Sequence, residues 1–184
     1  MAAPDFIHQI LTDLKVELMD EFDMNFMRKA FFDRSWPEVS HKNRRGSLMM
    51  RSGALRRSIR GQVVHNAISF TSSLPYARIH NEGGYITITR KMQKYFWAMY
   101  YSLAGRVTYS VKTRKAQNNQ KNKMLSDEAA YWKALALKKV GEKLKVPERR
   151  FIGAHPQVDQ AVRRVVDANM REVDQYIKQH LKPH

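Results

Sequence analysis

Cysteine is absent from this chain of 184 residues. No disulfide framework, no thiolate metal site and no cysteine nucleophile can therefore exist. Long apolar runs are missing as well. The longest cluster, Tyr95-Phe96-Trp97-Ala98-Met99-Tyr100-Tyr101, is far short of the ~20 residues that a membrane span requires. A secretory signal needs a basic start and an uninterrupted apolar core, whereas Asp5, Asp13, Glu17, Asp20, Glu21 and Asp23 interrupt the N-terminal apolar pattern. The expectation is a soluble protein with no membrane partner, folding in a reducing cytoplasm. Catalytic signatures are equally scarce: there is no Gly-x-Ser-x-Gly elbow, no His-Glu-x-x-His and no phosphate-cradling glycine loop. His80 and Glu82 are chemically suited to acid–base work, but two residues apart on a short turn they point in different directions. Only His180 and His184 have a metal-like spacing, at a terminus prone to fray. The residues thus predict no enzyme, no metal site and no cofactor.

Acidic residues are the next scarcity, and it is local. Residues 39–104 hold 11 Lys/Arg against 1 Asp/Glu, and residues 105–150 hold 13 against 4. Residues 1–38 run the other way, with 4 against 8, so the middle of the chain carries most of the net +16. Such asymmetry marks either a polyanion-binding face or a solvated surface that meets acidic protein partners. Charge alone leaves both open.

A hydrophobic fraction of 43% supports a real core, and the length suits one domain over 1–184. Ile7, Ile10, Leu11, Leu14, Leu18, Phe22 and Phe26 recur at helical spacing and predict a long N-terminal helix, broadened by Met24, Met27 and Phe31 and ended by Trp36-Pro37. Residues 38–47 read as a mobile basic loop, and Ser52 as the cap of a short helix anchored by Leu55 and Ile59. Gln62-Val64 and Ile68-Thr71 predict a hairpin turning at Asn66. A helical turn over Tyr76–Asn81 is expected to place Tyr76, Ile79 and His80 together, with Tyr76 and Ile79 buried and His80 hydrogen-bonded. Gly83-Gly84 supplies a positive-φ exit into the strand 85–89. A helix over 90–104, a strand over 106–112, a flexible basic loop over 113–125 and a helix opening at Ser126 follow, the last burying Tyr131, Trp132, Leu135, Leu137 and Val140. His155-Pro156 opens a long final helix. The fold class is α+β, a small antiparallel sheet packed with long N- and C-terminal helices.

Four short patterns occur in order: Trp36-Pro37; Ser52-Gly53-Ala54-Leu55-Arg56-Arg57-Ser58-Ile59; Tyr76-Ala77-Arg78-Ile79-His80-Asn81-Glu82-Gly83-Gly84; and Pro147-Glu148-Arg149-Arg150-Phe151-Ile152-Gly153. As an ordered set, spanning Phe31 to Gly153, they resemble the virion morphogenesis (tail completion) family of tailed bacteriophages, which includes the G protein of Mu-like phages. The long stretch between Gly84 and Pro147 departs from that family's usual pattern. The resemblance implies a structural protein of the virion, assembled in the host cytoplasm. It would complete the tail or join head to tail, contacting tail-tube or neck proteins and forming a homo-oligomer such as a hexameric ring. The residues it singles out are Trp36, Pro37, Gly53, Leu55, Tyr76, Ala77, Ile79, His80, Gly83, Gly84, Arg149, Phe151 and Gly153, as a structural or interaction motif. Phe151 suits a core pocket with Arg149 paired to an acid; the other reading has this segment shape a neighbouring subunit's contact. Tyr95, Phe96, Trp97, Tyr100 and Tyr101 beside Arg90, Lys91 and Lys94 fit either base stacking or a protein interface. A basic DNA-binding accessory protein making non-specific DNA contact is the alternative from another class, although no helix-turn-helix is recognisable.

Overall fold

The computed structural model describes residues 5–39 and 46–180. Elements are numbered in chain order. The described residues form two compact units, one drawn from 5–38, 46–83 and 147–180, the other from 39 and 84–146. The second unit takes in the stretch between Gly84 and Pro147.

The first unit is built on two long helices, α1 (Phe6–Arg28) and α6 (Pro156–His180), which pack together. Asp5 caps α1 by accepting from the His8 N–H at 3.0 Å. Lys29 ends it in the left-handed conformation at φ 54, seven residues before the Trp36 expected to do so. The chain instead makes a small antiparallel ladder, β1 (Ala30–Phe31) with β2 (Arg34–Ser35), and the Trp36 N–H then closes on the Lys29 carbonyl at 2.9 Å. Met24 and Met27 face outward rather than broadening the buried stripe. Leu18, Phe22, Phe31, Phe32 and Ala161 form one cluster between the helices.

In the short helix α2 (Ala54–Ser58), Gly53 rather than Ser52 occupies the cap position, at φ 68. The Ser52 hydroxyl accepts from the Ala54 N–H at 3.3 Å. Leu55 and Ile59 are buried as their spacing predicts. The hairpin pairs β3 (Ile59–Val64) with β4 (Ala67–Ser72), and its left-handed residue is His65, at φ 52, not Asn66. α3 (Ala77–Glu82) follows.

The second unit pairs β5 (Gly84–Thr87) antiparallel with β6 (Lys143–Val146) and packs α4 (Arg90–Ala104) against α5 (Gln120–Ala136). Ile88, Phe96, Leu135 and Ala136 form its core, with Met92, Trp97, Tyr131 and Trp132 packed around them. The Thr89 hydroxyl caps α4 at the Met92 N–H, 3.2 Å away.

Two expectations fail in this unit. Residues 106–112 make no strand. Val111 is 96% exposed, and the segment closes on itself through one antiparallel bridge, Tyr109 to Ala116. With no partner strand, alternation alone cannot bury its apolar face. The helix expected from Ser126 begins six residues earlier, at Gln120, inside the stretch read as loop. Asn119 caps it, accepting from the Asn122 N–H at 2.8 Å, and the buried Asn122 amide in turn donates to the Thr108 and Gln117 carbonyls at 2.8 Å each. α5 stops at Ala136, so Leu137 and Val140 lie beyond it and are exposed. Of the basic loop expected at 38–47, residues 40–45 lie outside the described residues.

The α+β class with long terminal helices stands, and the antiparallel pairing is spread over three two-stranded sheets instead of one.

Candidate functional site

The four motifs, far apart in sequence, converge in the first unit. Trp36, Leu55, Ala77 and Phe151 sit in one buried cluster with Phe26 and Ile59. Phe26 meets Trp36 edge-on at 5.6 Å and Phe151 at 5.1 Å. Each motif thus contributes at least one apolar side chain to a shared core, the second giving both Leu55 and Ile59.

The segment Arg149–Ile152 enters this core without a strand partner, so its backbone polar groups must find bonds elsewhere. Side chains from the other motifs supply most of them. The Arg149 N–H donates to the His80 carbonyl at 2.8 Å, and the Trp36 indole N–H donates to the Arg150 carbonyl at 2.6 Å. The Asn81 Oδ1 accepts from both the Phe151 and Ile152 N–H groups, at 2.9 and 3.1 Å, while its Nδ2 donates back to the Ile152 carbonyl at 3.1 Å. Asn25, fully buried on α1, donates to the Phe151 carbonyl at 3.2 Å and accepts from the Phe32 N–H at 2.9 Å.

Arg149 is buried and, among the described residues, pairs with no acid, contrary to expectation. Its guanidinium donates to the backbone carbonyls of Pro37 at 3.0 Å and Glu38 at 3.3 Å. Burial draws its pKa down. Phe151 fills the core pocket as expected.

In α3 it is Ala77 that turns inward. Tyr76 is 42% exposed and Ile79 half-buried, so the expected buried pair is not formed: Tyr76 is the N-cap residue outside the helix, and Ile79 lies about 200° around it from the inward Ala77. The Tyr76 ring stands edge-on to His80 at 5.9 Å. The His80 Nδ1 is sealed from solvent with no hydrogen-bond partner among the described residues, where a bond was expected. Burial lowers the His80 pKa, and the Arg149 charge lowers it further.

Gly83 and Gly84 both have positive φ, 69 and 132. At Gly83 a Cβ would stand 2.7 Å from the Glu148 backbone nitrogen, so both the conformation and the space require glycine. Gly153, at φ 155, ends the buried segment. Asn25 and Asn81 were not singled out in the sequence. The signal for Asn25 was an amide beside Phe22 and Phe26 on an otherwise apolar stripe; Asn81 lay inside the motif itself.

An open depression beside this core is lined by Asp23, Met50, Ser52, Gly53, Arg56 and Arg57. The Arg56 guanidinium forks onto both Asp23 carboxylate oxygens, and Arg57 donates to the Ser52 carbonyl at 2.8 Å. No group of three or more His, Asp or Glu is placed to hold a metal ion among the described residues, and no helix there is long and apolar enough to cross a membrane. The arrangement fixes backbone; it presents no nucleophile beside a base.

The model of the phage virion morphogenesis family matches residues 29–171. No curated protein and no solved structure matches the chain.

Proposed function

The chain belongs to the phage virion morphogenesis family, and from that premise we propose that it completes the tail, or joins tail to head at the neck, of a bacteriophage or prophage. It is a structural protein of virion morphogenesis. The observation that supports assembly as its work is the use made of the motif residues. One or more apolar groups from each motif fill one core, and the polar groups of Trp36 and Asn81 hold the Arg149–Ile152 backbone. Such a core holds a surface in shape for partners, here other structural proteins of the particle, with assembly in the host cytoplasm.

A homo-oligomer, a hexameric ring in the particle, is the form we propose. Val16, Met24 and Met27 on α1 and Met170 and Ile177 on α6 are exposed apolar side chains on the two long helices. Methionine is enriched where proteins meet. All thirteen motif residues are proposed as scaffold, the whole chain acting as one assembly domain. The test is to delete the gene from its phage and image the lysate by electron microscopy. Heads and tails that fail to join, or tails with unfinished ends, are expected. Normal particles at normal titre would contradict the proposal.

A second reading, non-specific contact with DNA, is favoured by the charge of the second unit. Residues 84–146 hold 14 Lys/Arg against 3 Asp/Glu. A basic accessory role is compatible with a place in the particle, and binding of duplex DNA by the purified chain tests it.

A further inference from the structure

The basic excess has a definite place on the second unit. α4 contains Arg90, Lys91 and Lys94 and no acidic residue. At about 100° per residue, its buried side chains Phe96, Met99 and Leu103 occupy one face. Arg90, Lys94, Trp97 and Tyr101, spaced four, three and four residues apart, fall on a single stripe away from that face, with Trp97 at its edge also packed against the unit's core. Arg90, Lys94 and Tyr101 are exposed and Trp97 is half-buried. The Trp97 and Tyr101 rings lie stacked on one another, 5.8 Å between centroids and 25° between planes. From α5, the Lys133 ammonium sits 5.7 Å from the centre of the Tyr100 ring, adding a base beside this aromatic group.

Nothing within the unit neutralises the stripe. Among the described residues only Lys138 of the 14 bases forms an ion pair, with Glu142. Arg90 and Lys94 stand at the i,i+4 spacing where like charges repel, and Lys91 is three residues from Lys94. The chemistry of the bases indicates the occupant. Of the 14, 11 are lysines, the residue that protein interfaces deplete and phosphate contacts employ. The stripe holds its bases one helical turn apart on a single rigid face, which suits phosphates on the outside of a duplex.

We propose that the α4 stripe is a duplex-DNA contact, in which Arg90 and Lys94 neutralise backbone phosphates against the wall formed by Trp97 and Tyr101. This rests on the second reading above and assigns it to one helix face. Contact of this kind is independent of sequence and steeply salt-dependent.

The test uses the full chain and fluorescence anisotropy with a mixed-sequence duplex of about 30 base pairs, titrated over a range of salt concentrations. The double variant Arg90→Gln/Lys94→Gln is compared with Arg163→Gln/Arg171→Gln, which removes equal charge from exposed positions on α6. The proposal expects the α4 variant to bind about tenfold more weakly, with a salt slope reduced by about two phosphates, and the α6 variant to lose less than about threefold. Thermal melts matching the parent show that both variants fold. Equal losses in the two variants, or no loss in the α4 variant, would overturn the assignment to α4 while leaving DNA binding in place. Tighter binding to a single strand of the same length, or equal binding to polyglutamate of matched charge, would overturn the duplex as partner. Failure of the parent chain to bind duplex at all would remove the second reading together with the assignment.

Discussion

At the scale of single residues, the family motif is a set of solutions to one local problem: how to bring a strandless backbone segment into a core. Asn81 and Asn25 act as substitute ladder partners for Phe151 and Ile152. Gly83 is required because Glu148 passes so closely that a Cβ has no room. Gly83→Ala is expected to destabilise the protein by about 2–4 kcal/mol, adding left-handed strain to a backbone clash, and thermal or urea unfolding measures it. His80 makes a pH prediction. Its pKa in the fold is lowered by burial and then by Arg149, so near the ordinary histidine value of about 6.5 the unfolded chain binds the proton more readily. Stability due to this group is therefore complete above that value and is lost as pH falls from it through the lowered folded pKa. The parent should lose more melting temperature than His80→Gln between about pH 7.5 and 5.5, and parallel melting curves would contradict this. Gly83 was legible in the sequence, as a Gly-Gly pair before an alternating strand. The partner of Asn25 was not, since 126 residues separate it from Phe151 and only the tertiary fold brings them together.

At the scale of elements, helices with strong periodicity were legible and polar ones were not. The 90–104 helix was found at its observed bounds because Met92, Tyr95, Phe96 and Met99 recur at helical spacing, and of these the structure buries Phe96 and Met99. The start of α5 was missed because Asn119 and Asn122 do their work by hydrogen bonds, and such polar residues look the same as a loop in composition. The strand expected at 106–112 had the right alternation but no neighbour to pair with. α4 also carries a local conflict. Arg90 and Lys91 lie in its first turn, where the helix dipole disfavours cations, and Arg90 faces Lys94 one turn on. Arg90→Glu reverses both terms and should raise stability by about 0.3–1 kcal/mol, read as a higher melting temperature. A gain in stability with a loss of DNA binding would mark Arg90 as held for contact rather than for folding. A lower melting temperature would mean that the arginine supports the helix in some other way.

At the scale of the whole molecule, the order of motifs along the chain was enough to find the family, whereas the division of labour between the two units emerged only from the structure. The first unit holds the motif core and the long helices; the second holds most of the net positive charge. Sequence charge counts located the basic excess in the middle of the chain, but the boundaries at Gly84 and Val146 depend on the β5–β6 pairing, which joins residues about sixty positions apart. The central claim is that the motif residues act as scaffold for assembly. The most direct test is complementation of a deletion phage with His80→Gln and with Asn81→Ala, scoring infectious particles alongside melting of each purified protein. The account predicts near-parental yield and folding for His80→Gln. For Asn81→Ala it predicts a loss of about 2–4 kcal/mol of stability, as two buried N–H groups lose their acceptor, with particle yield falling in step. A His80→Gln protein that folds as stably as the parent yet yields no infectious particles would contradict it.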